Sequence, residues 1–168
     1  MPTLIVGVAE CHVSGDPQSV IVTYALGSCI AVAIYDPIVR VGGLLHFMLP
    51  ESSLDLRKAS KRPFMFADTG IPAMFSAAYA AGAEKKRFIV RVIGGAQVLD
   101  PQGLFNIGKR NYSACKKILW STGVLIDAEE VGGTLSRSVR LDLADGKVHW
   151  RGAADPEQEL IAKGTRPC

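Results

Sequence analysis

This chain has only four cysteines and a low net charge, and each of these properties excludes a class of protein. The four cysteines are irregularly spaced and form no Cys-x-x-Cys pair, which argues against a disulfide framework or a structural zinc site. The net charge is only +3, from 19 basic and 16 acidic residues, and gives no case for a nucleic-acid partner. The basic stretches at 57–62 and 85–87 lack interleaved aromatic residues that would stack on bases. They are either solvated loops or a docking surface for an acidic protein.

Signals for secretion and membrane insertion are also lacking. The N-terminus has no basic region and no small-residue cleavage site of the kind found in signal peptides. Residues 17–35 contain no charged residue, but Thr23 and Gly27-Ser28-Cys29 interrupt the run and β-branched residues dominate it. Two buried strands that meet at a bend explain this composition better than a membrane helix. We therefore expect a cytoplasmic protein, with its thiols reduced and without direct membrane insertion.

Length and periodicity predict a single α+β domain over residues 1–168, with a core at about 4–152 and a C-terminal tail at 153–168. Short apolar or alternating runs predict strands at 4–9, 20–26, 28–35, 43–49, 87–93, 124–131, 138–143 and 147–151. Helices are expected at about 71–81 and 106–121, and a polar surface loop at 50–63. Mostly antiparallel strands with two intervening helices indicate a layered α/β sandwich rather than a dinucleotide-binding fold.

A hairpin would bring the thiol of Cys29 close to the imidazole of His46. A tight turn centred on Asp36-Pro37-Ile38-Val39 pairs these two residues directly, and opposed residues project on the same face of a sheet. A slip of one residue would place them on opposite faces. A thiol within reach of an imidazole is the minimum equipment for nucleophilic acyl chemistry. Taken singly, each residue also has an ordinary structural role, as a buried strand cysteine or a core histidine with a polar partner.

Three further features bear on a site at Cys29. The hydroxyl of Thr23, on the preceding strand, could hydrogen-bond the second imidazole nitrogen and orient the ring, although threonine is also simply a good strand residue. Gly94-Gly95-Ala96 follows a strand but matches no phosphate-binding motif, so we expect close backbone packing near a site. Adjacent Cys11-His12 would point to opposite faces of a strand, which makes a poor catalytic pair.

The chain resembles the CheD family of chemoreceptor glutamine deamidases in several segments that occur in family order. The specific part is Leu-Gly-Ser-Cys at 26–29 with a downstream His-Phe-Met-Leu-Pro at 46–50. The matching segments are 23–32, 35–37, 42–50, 94–96, 106–111 and 130–133, with Arg137. The sequence departs from the family pattern at Ile93, where an aromatic residue is usual, and at Glu130, where aspartate is usual.

The resemblance implies a layered α/β sandwich similar to that of Cys-His deamidating toxins, and a role for each candidate residue. Cys29 would be the nucleophile, His46 the base and Thr23 the residue that orients the base. The implied reaction converts specific glutamines of chemotaxis receptors to glutamate through a cysteine thioester, releasing ammonia and requiring no metal or organic cofactor.

The expected partners are the cytoplasmic helical domains of chemoreceptors and, as a regulator, a CheC-type phosphatase. Two alternatives stay open at this point. The same site could hydrolyse a glutamyl methyl ester, with methanol as the leaving group. The chain could instead be a non-catalytic adaptor that binds receptors or a CheC-type phosphatase.

Overall fold

The computed structural model describes residues 1–98, 102 and 105–162, and it contains ten strands and three α-helices within them. The strands are β1 (Thr3–Val6), β2 (Glu10–Ser14), β3 (Val20–Leu26), β4 (Ile30–Asp36), β5 (Val41–Phe47), β6 (Ile89–Gly94), β7 (Ala128–Val131), β8 (Arg137–Asp142), β9 (Val148–Gly152) and β10 (Gln158–Glu159). The helices are α1 (Leu56–Lys61), α2 (Ala67–Ala80) and α3 (Ile107–Ser121).

The strands form two five-stranded sheets, in the orders β1-β3-β8-β9-β10 and β2-β5-β4-β6-β7. Pairing is antiparallel except between β1 and β3 and between β6 and β7. One face of the second sheet packs against α2 and α3, and its other face packs against the first sheet. The α+β layered sandwich predicted from the sequence is therefore confirmed. Within the described ranges, no helix has the length and apolar character needed to cross a bilayer.

Strand β4 lies at the centre of this arrangement, and all seven of its residues are buried. Ile30, Val32 and Ile34 belong to the core formed with the helices. Ala31, Ala33 and Tyr35 belong to the core between the two sheets. Alternate side chains of a strand point to opposite faces, so a strand covered on both sides is apolar throughout. This burial accounts for the charge-free run that precedes Asp36.

The hairpin between β4 and β5 has a longer turn than the sequence analysis assumed. Asp36 pairs with Val41, which leaves four residues, 37–40, in the loop. The Asp36 carboxylate accepts a hydrogen bond from the N–H of Ile38 at 2.9 Å, and Arg40 adopts a left-handed conformation with φ of 55°. His46 is consequently opposite Ala31 and not Cys29. The predicted register was wrong by two residues, and a shift of two preserves the face of the sheet.

Three other segments differ from the expectation. Strand β2 was not predicted and pairs with β5 at the edge of the second sheet. Helix α1 forms within the predicted loop at 50–63, because the Asp55 carboxylate accepts from the N–H of Lys58 and caps it. Part of the predicted tail pairs with β9 as β10, and Leu160 is buried in the core between the sheets. The rest of the tail, 163–168, lies outside the described residues.

Candidate active site

Thr23 and His46 are joined by a hydrogen bond inside the molecule. The Thr23 hydroxyl lies 2.8 Å from Nδ1 of His46 and 2.7 Å from the carbonyl oxygen of Val6. A carbonyl oxygen only accepts, so the single hydroxyl proton is donated to Val6 and the oxygen accepts from Nδ1–H. In the neutral imidazole this leaves Nε2 without a proton, as an acceptor. The contact fixes both the orientation of the ring and the nitrogen that is free to take a proton.

Burial keeps His46 neutral. The side chain has no solvent exposure, and loss of solvation lowers the pKa of His46 from 6.5 to about 4, although the nearby carboxylate of Glu10 acts in the opposite direction. Nε2 is buried and has no hydrogen-bond partner among the described residues. A buried nitrogen without a partner is uncommon in folded proteins. At neutral pH His46 is thus an unprotonated base whose accepting nitrogen is unused.

Cys29 occupies the bend immediately before β4. It lines a cleft of about 440 Å³ together with Gly27, Ser28, Ala96 and other residues, and its side chain is half-buried. Ala31 pairs with His46, and Cys29 precedes Ala31 by two positions. Cys29 therefore projects from the same face of the sheet as Ala31, and both pack in the core between the two sheets. Sγ and Nε2 are not hydrogen-bonded in this structure. The structure therefore places the thiol at the open end of the strand, while the base lies in the interior.

The pKa of the Cys29 thiol is raised above its ordinary value by burial, and the residue's own backbone N–H, hydrogen-bonded to the sulfur, acts in the opposite direction. Desolvation disfavours the charged form of each group. The resting pair is consequently a neutral thiol and a neutral imidazole, and not a preformed thiolate–imidazolium pair. The N–H of Cys29 is a hydrogen-bond donor beside the sulfur, and such donors stabilise negative charge that develops there.

The glycine pair after β6 packs directly against the bend. The N–H of Gly95 donates to the carbonyl of Cys29 at 2.8 Å, and the N–H of Ala96 donates to the carbonyl of Gly27 at 2.8 Å. A Cβ on Gly94 would lie 2.3 Å from the carbonyl oxygen of Cys29, and its φ is +118°. Only glycine tolerates both the contact and the conformation. The close backbone packing predicted at this position is confirmed.

Asn111 is a structural member of the site that reasoning from local patterns did not single out. Its amide nitrogen donates to the carbonyl of Ser28 at 2.9 Å and to the carbonyl of Met48 at 3.0 Å, and the side chain is fully buried. Asn111 therefore ties α3 to the residue before Cys29 and to the chain just after His46. The only earlier sign of it was its place in the segment 106–111 that resembles the family.

Other candidate residues are placed elsewhere. Burial raises the pKa of Cys11 to about 12, and burial followed by the charge of Glu129 raises that of Cys115 to about 12, so both are unreactive thiols at neutral pH. His149 is within 3.3 Å of Asp142 in the first sheet. Cys168 lies outside the described residues. Across 1–98, 102 and 105–162, no three His, Cys, Asp or Glu side chains are grouped closely enough to hold a metal ion.

Comparison with known proteins identifies close relatives. A protein of Solibacter usitatus named as a probable chemoreceptor glutamine deamidase CheD is 48% identical over 161 residues, covering 96% of this chain and 95% of that protein. One from Syntrophus aciditrophicus with the corresponding name is 51% identical over 160 residues, covering 95% of this chain and 100% of that protein. The chemoreceptor glutamine deamidase CheD of Thermotoga maritima is 36% identical over 154 residues, covering 92% and 94%.

The family described as CheD chemotactic sensory transduction matches residues 48–152, which begin just after His46. The alignments to whole relatives extend over nearly all of the chain. By both comparisons, the chain belongs to the CheD family.

Proposed function

We propose that this protein is a chemoreceptor glutamine deamidase, which converts glutamine side chains of chemotaxis receptors to glutamate with release of ammonia. Relatives that carry this activity in their names align over 92–96% of the chain. The observation that carries the chemistry is the Thr23–His46 hydrogen bond, because it leaves Nε2 as an unused base on the strand next to β4, which begins just after Cys29. A cytoplasmic site of action fits a nucleophile that must stay a free thiol.

The first half of the reaction forms a thioester. The glutamine carboxamide enters the cleft, and Nε2 of His46 takes the thiol proton as Sγ of Cys29 attacks the carboxamide carbon. The oxygen of the tetrahedral intermediate carries the negative charge, and the N–H of Cys29 donates to it. His46 then returns the proton to the nitrogen, the carbon–nitrogen bond breaks, and ammonia leaves. A γ-glutamyl thioester remains on Cys29.

The second half reverses the proton movements with water. His46 takes a proton from a water molecule, whose oxygen attacks the thioester carbon, and the carbon–sulfur bond breaks. The proton returns to Sγ, which restores the thiol and leaves glutamate on the receptor. Thr23 keeps the ring in one tautomer throughout, so that the same nitrogen accepts and donates in both halves. In both halves His46 accepts the proton and returns it, first from the thiol to the leaving nitrogen and then from water to Sγ.

The test compares wild-type protein with Cys29→Ala on a receptor cytoplasmic fragment. We expect ammonia release, and replacement of NH2 by OH at defined glutamines in the mass spectrum, for the wild type only. Cys11→Ala is the matched control, since it removes a partly buried thiol from β2 and should keep full activity. Methanol release from a methylated fragment would add esterase activity at the same site. Binding of the fragment by both proteins without ammonia release would establish the adaptor alternative.

A CheC-type phosphatase as a regulatory partner stays a prediction, because it rests on the family resemblance alone. Its test is direct binding of such a phosphatase, followed by measurement of ammonia release in its presence. A regulator should change the rate, whereas an unrelated phosphatase should leave the rate unchanged.

A further inference from the structure

A second groove continues from the catalytic cleft along α3. It has a volume of about 600 Å³ and lies between residues 49–54 and the exposed side of α3. Ile107 lines both this groove and the cleft at Cys29, so the two adjoin at this residue. We call it the α3 groove. None of its lining residues takes part in the proposed chemistry.

The lining of the α3 groove combines an apolar floor with a basic rim. Leu54 is 61% exposed and Ile107 is 39% exposed, although both are large and apolar. Lys109, Arg110 and Lys117 supply three positive charges, against the single carboxylate of Glu51. Exposed apolar residues next to a line of like charges are typical of a binding surface rather than of a solvated face.

The basic rim lacks neutralising partners in the parts of the chain that the structure describes. Lys109, Arg110 and Lys117 form no ion pair with any described residue. Helix α3 carries four basic residues and no acidic one over Ile107–Ser121. Arg110 and Lys117 are seven positions apart, which places them on one face, about 10 Å apart along the axis. The charges therefore face outward in a row that leads away from Cys29.

We propose that the α3 groove binds an acidic, amphipathic helical segment of the substrate, continuous with the glutamine held at Cys29. This inference rests on the proposed function. An apolar stripe of the substrate helix would cover Leu54 and Ile107, and its acidic residues would pair with Arg110 and Lys117. From Ile107 to Lys117 the groove extends about 15 Å, so the acidic residues lie within about three helical turns of the reactive glutamine. Glutamines without such acidic neighbours should be poor substrates.

The test neutralises two charges of the rim and compares a control with the same net charge. The test variant is Arg110→Gln with Lys117→Gln, and the control is Lys86→Gln with Lys147→Gln. Lys86 lies before β6, at the end of that strand opposite to the one that packs on Cys29. Lys147 lies in the loop between β8 and β9. Both control residues are exposed, and neither lines the α3 groove or the cleft at Cys29.

The test variant should raise KM for the receptor fragment about 2- to 30-fold, the range for loss of two exposed ion pairs, while kcat stays within about twofold. Added salt should raise the wild-type KM and have less effect on the test variant, because screening acts on charges still present. The control should behave as the wild type. Iodoacetamide labelling of Cys29 should be equal in all three proteins, which shows that the site itself is intact.

A charge exchange makes the pairing specific. Arg110→Glu should weaken binding further, and replacing one acidic residue of the fragment near the reactive glutamine by lysine should recover it. An unchanged KM in the test variant, with wild-type deamidation normal, overturns the inference and leaves the proposed function standing. If the wild type binds the fragment without releasing ammonia, the proposed function fails. In that case the Kd of the test variant for the fragment tests the α3 groove separately, and a Kd equal to that of the wild type overturns the inference.

Discussion

Replacing Thr23 by valine removes one hydroxyl and keeps the shape of the side chain. Two buried groups then lose their partner, the carbonyl of Val6 and Nδ1–H of His46. Both Thr23 and His46 have no solvent exposure, and the new methyl group fills the place of the hydroxyl, so water cannot replace it. The substitution thus tests the hydrogen bond itself, with little change in packing.

The expected loss of stability follows from the number of groups left unpaired. Each buried polar group without a partner costs roughly 1–3 kcal/mol, so the two together cost about 2–6 kcal/mol. For a domain of this size, that corresponds to a fall in Tm of roughly 4–24 °C. Thr23→Ser keeps the hydroxyl and loses one buried methyl group, at a cost of about 1 kcal/mol.

Catalysis should suffer separately from stability. Without an acceptor at Nδ1–H, the imidazole is free to carry its proton on Nε2, where it can no longer act as the base. General base catalysis contributes about 10²–10⁴-fold, and we expect Thr23→Val to lose roughly 10- to 100-fold in kcat at a temperature where it is fully folded. Thr23→Ser should stay within about threefold of wild type.

The measurements are thermal unfolding by circular dichroism, ammonia release from the receptor fragment, and the nitrogen-15 shifts of the His46 ring, which report its tautomer. A protein with valine at this position that keeps wild-type kcat would falsify the orienting role of Thr23. A normal kcat with a large loss of Tm would leave the hydrogen bond as a structural feature only.

Three further predictions address Asn111, His46 and the thiols. Asn111→Asp should lower the free energy of unfolding in urea by about 2–5 kcal/mol and reduce kcat, since a carboxylate cannot donate to the two carbonyls; wild-type values would contradict this. Because the folded pKa of His46 is about 4, only the unfolded chain gains a proton between pH 6.5 and 4. Unfolding free energy should therefore fall by about 3 kcal/mol as pH drops through this window, and should fall less in His46→Ala. Iodoacetamide at neutral pH should label Cys29 before Cys11, because burial raises the pKa of Cys11 to about 12 and Cys29 lines an open cleft. Labelling of Cys29 should be similar in His46→Ala, since the two neutral groups are not hydrogen-bonded in the free protein; much slower labelling in His46→Ala would show that the base activates the free thiol.

The sequence predicted the central strands because their residues are buried in regular patterns. Strand β3 was predicted at 20–26 and is observed at Val20–Leu26, and the β4–β5 hairpin was placed correctly on the chain. The face shared by Cys29 and His46 was also predicted, since an error of two residues does not change it. The exact register depends on turn length, and that length was set by an Asp36 side-chain hydrogen bond and a left-handed Arg40.

Local sequence patterns do not predict contacts between distant parts of the chain. Asn111 meets the carbonyl of Ser28 across 83 positions, and no local periodicity indicates that pairing. Strand β2 is short, contains the polar pair Cys11-His12, and is recognisable as a strand chiefly from its pairing with β5. Its pairing with β5 places Glu10 opposite His46, where the carboxylate affects the pKa of the imidazole, and the sequence alone did not predict this contact.

The neutral resting state has a chemical consequence for Cys29, the proposed nucleophile. A thiolate is oxidised far more readily than a thiol, and Cys29 is reached through an open cleft. Burial raises the pKa of the thiol and lowers that of the imidazole, so charge separation between them is unfavourable until a carboxamide occupies the cleft. The substrate then accepts electrons from sulfur as the proton reaches Nε2, and the negative charge passes to an oxygen that the backbone can stabilise. The same burial that weakens the free nucleophile therefore couples its activation to the bound substrate.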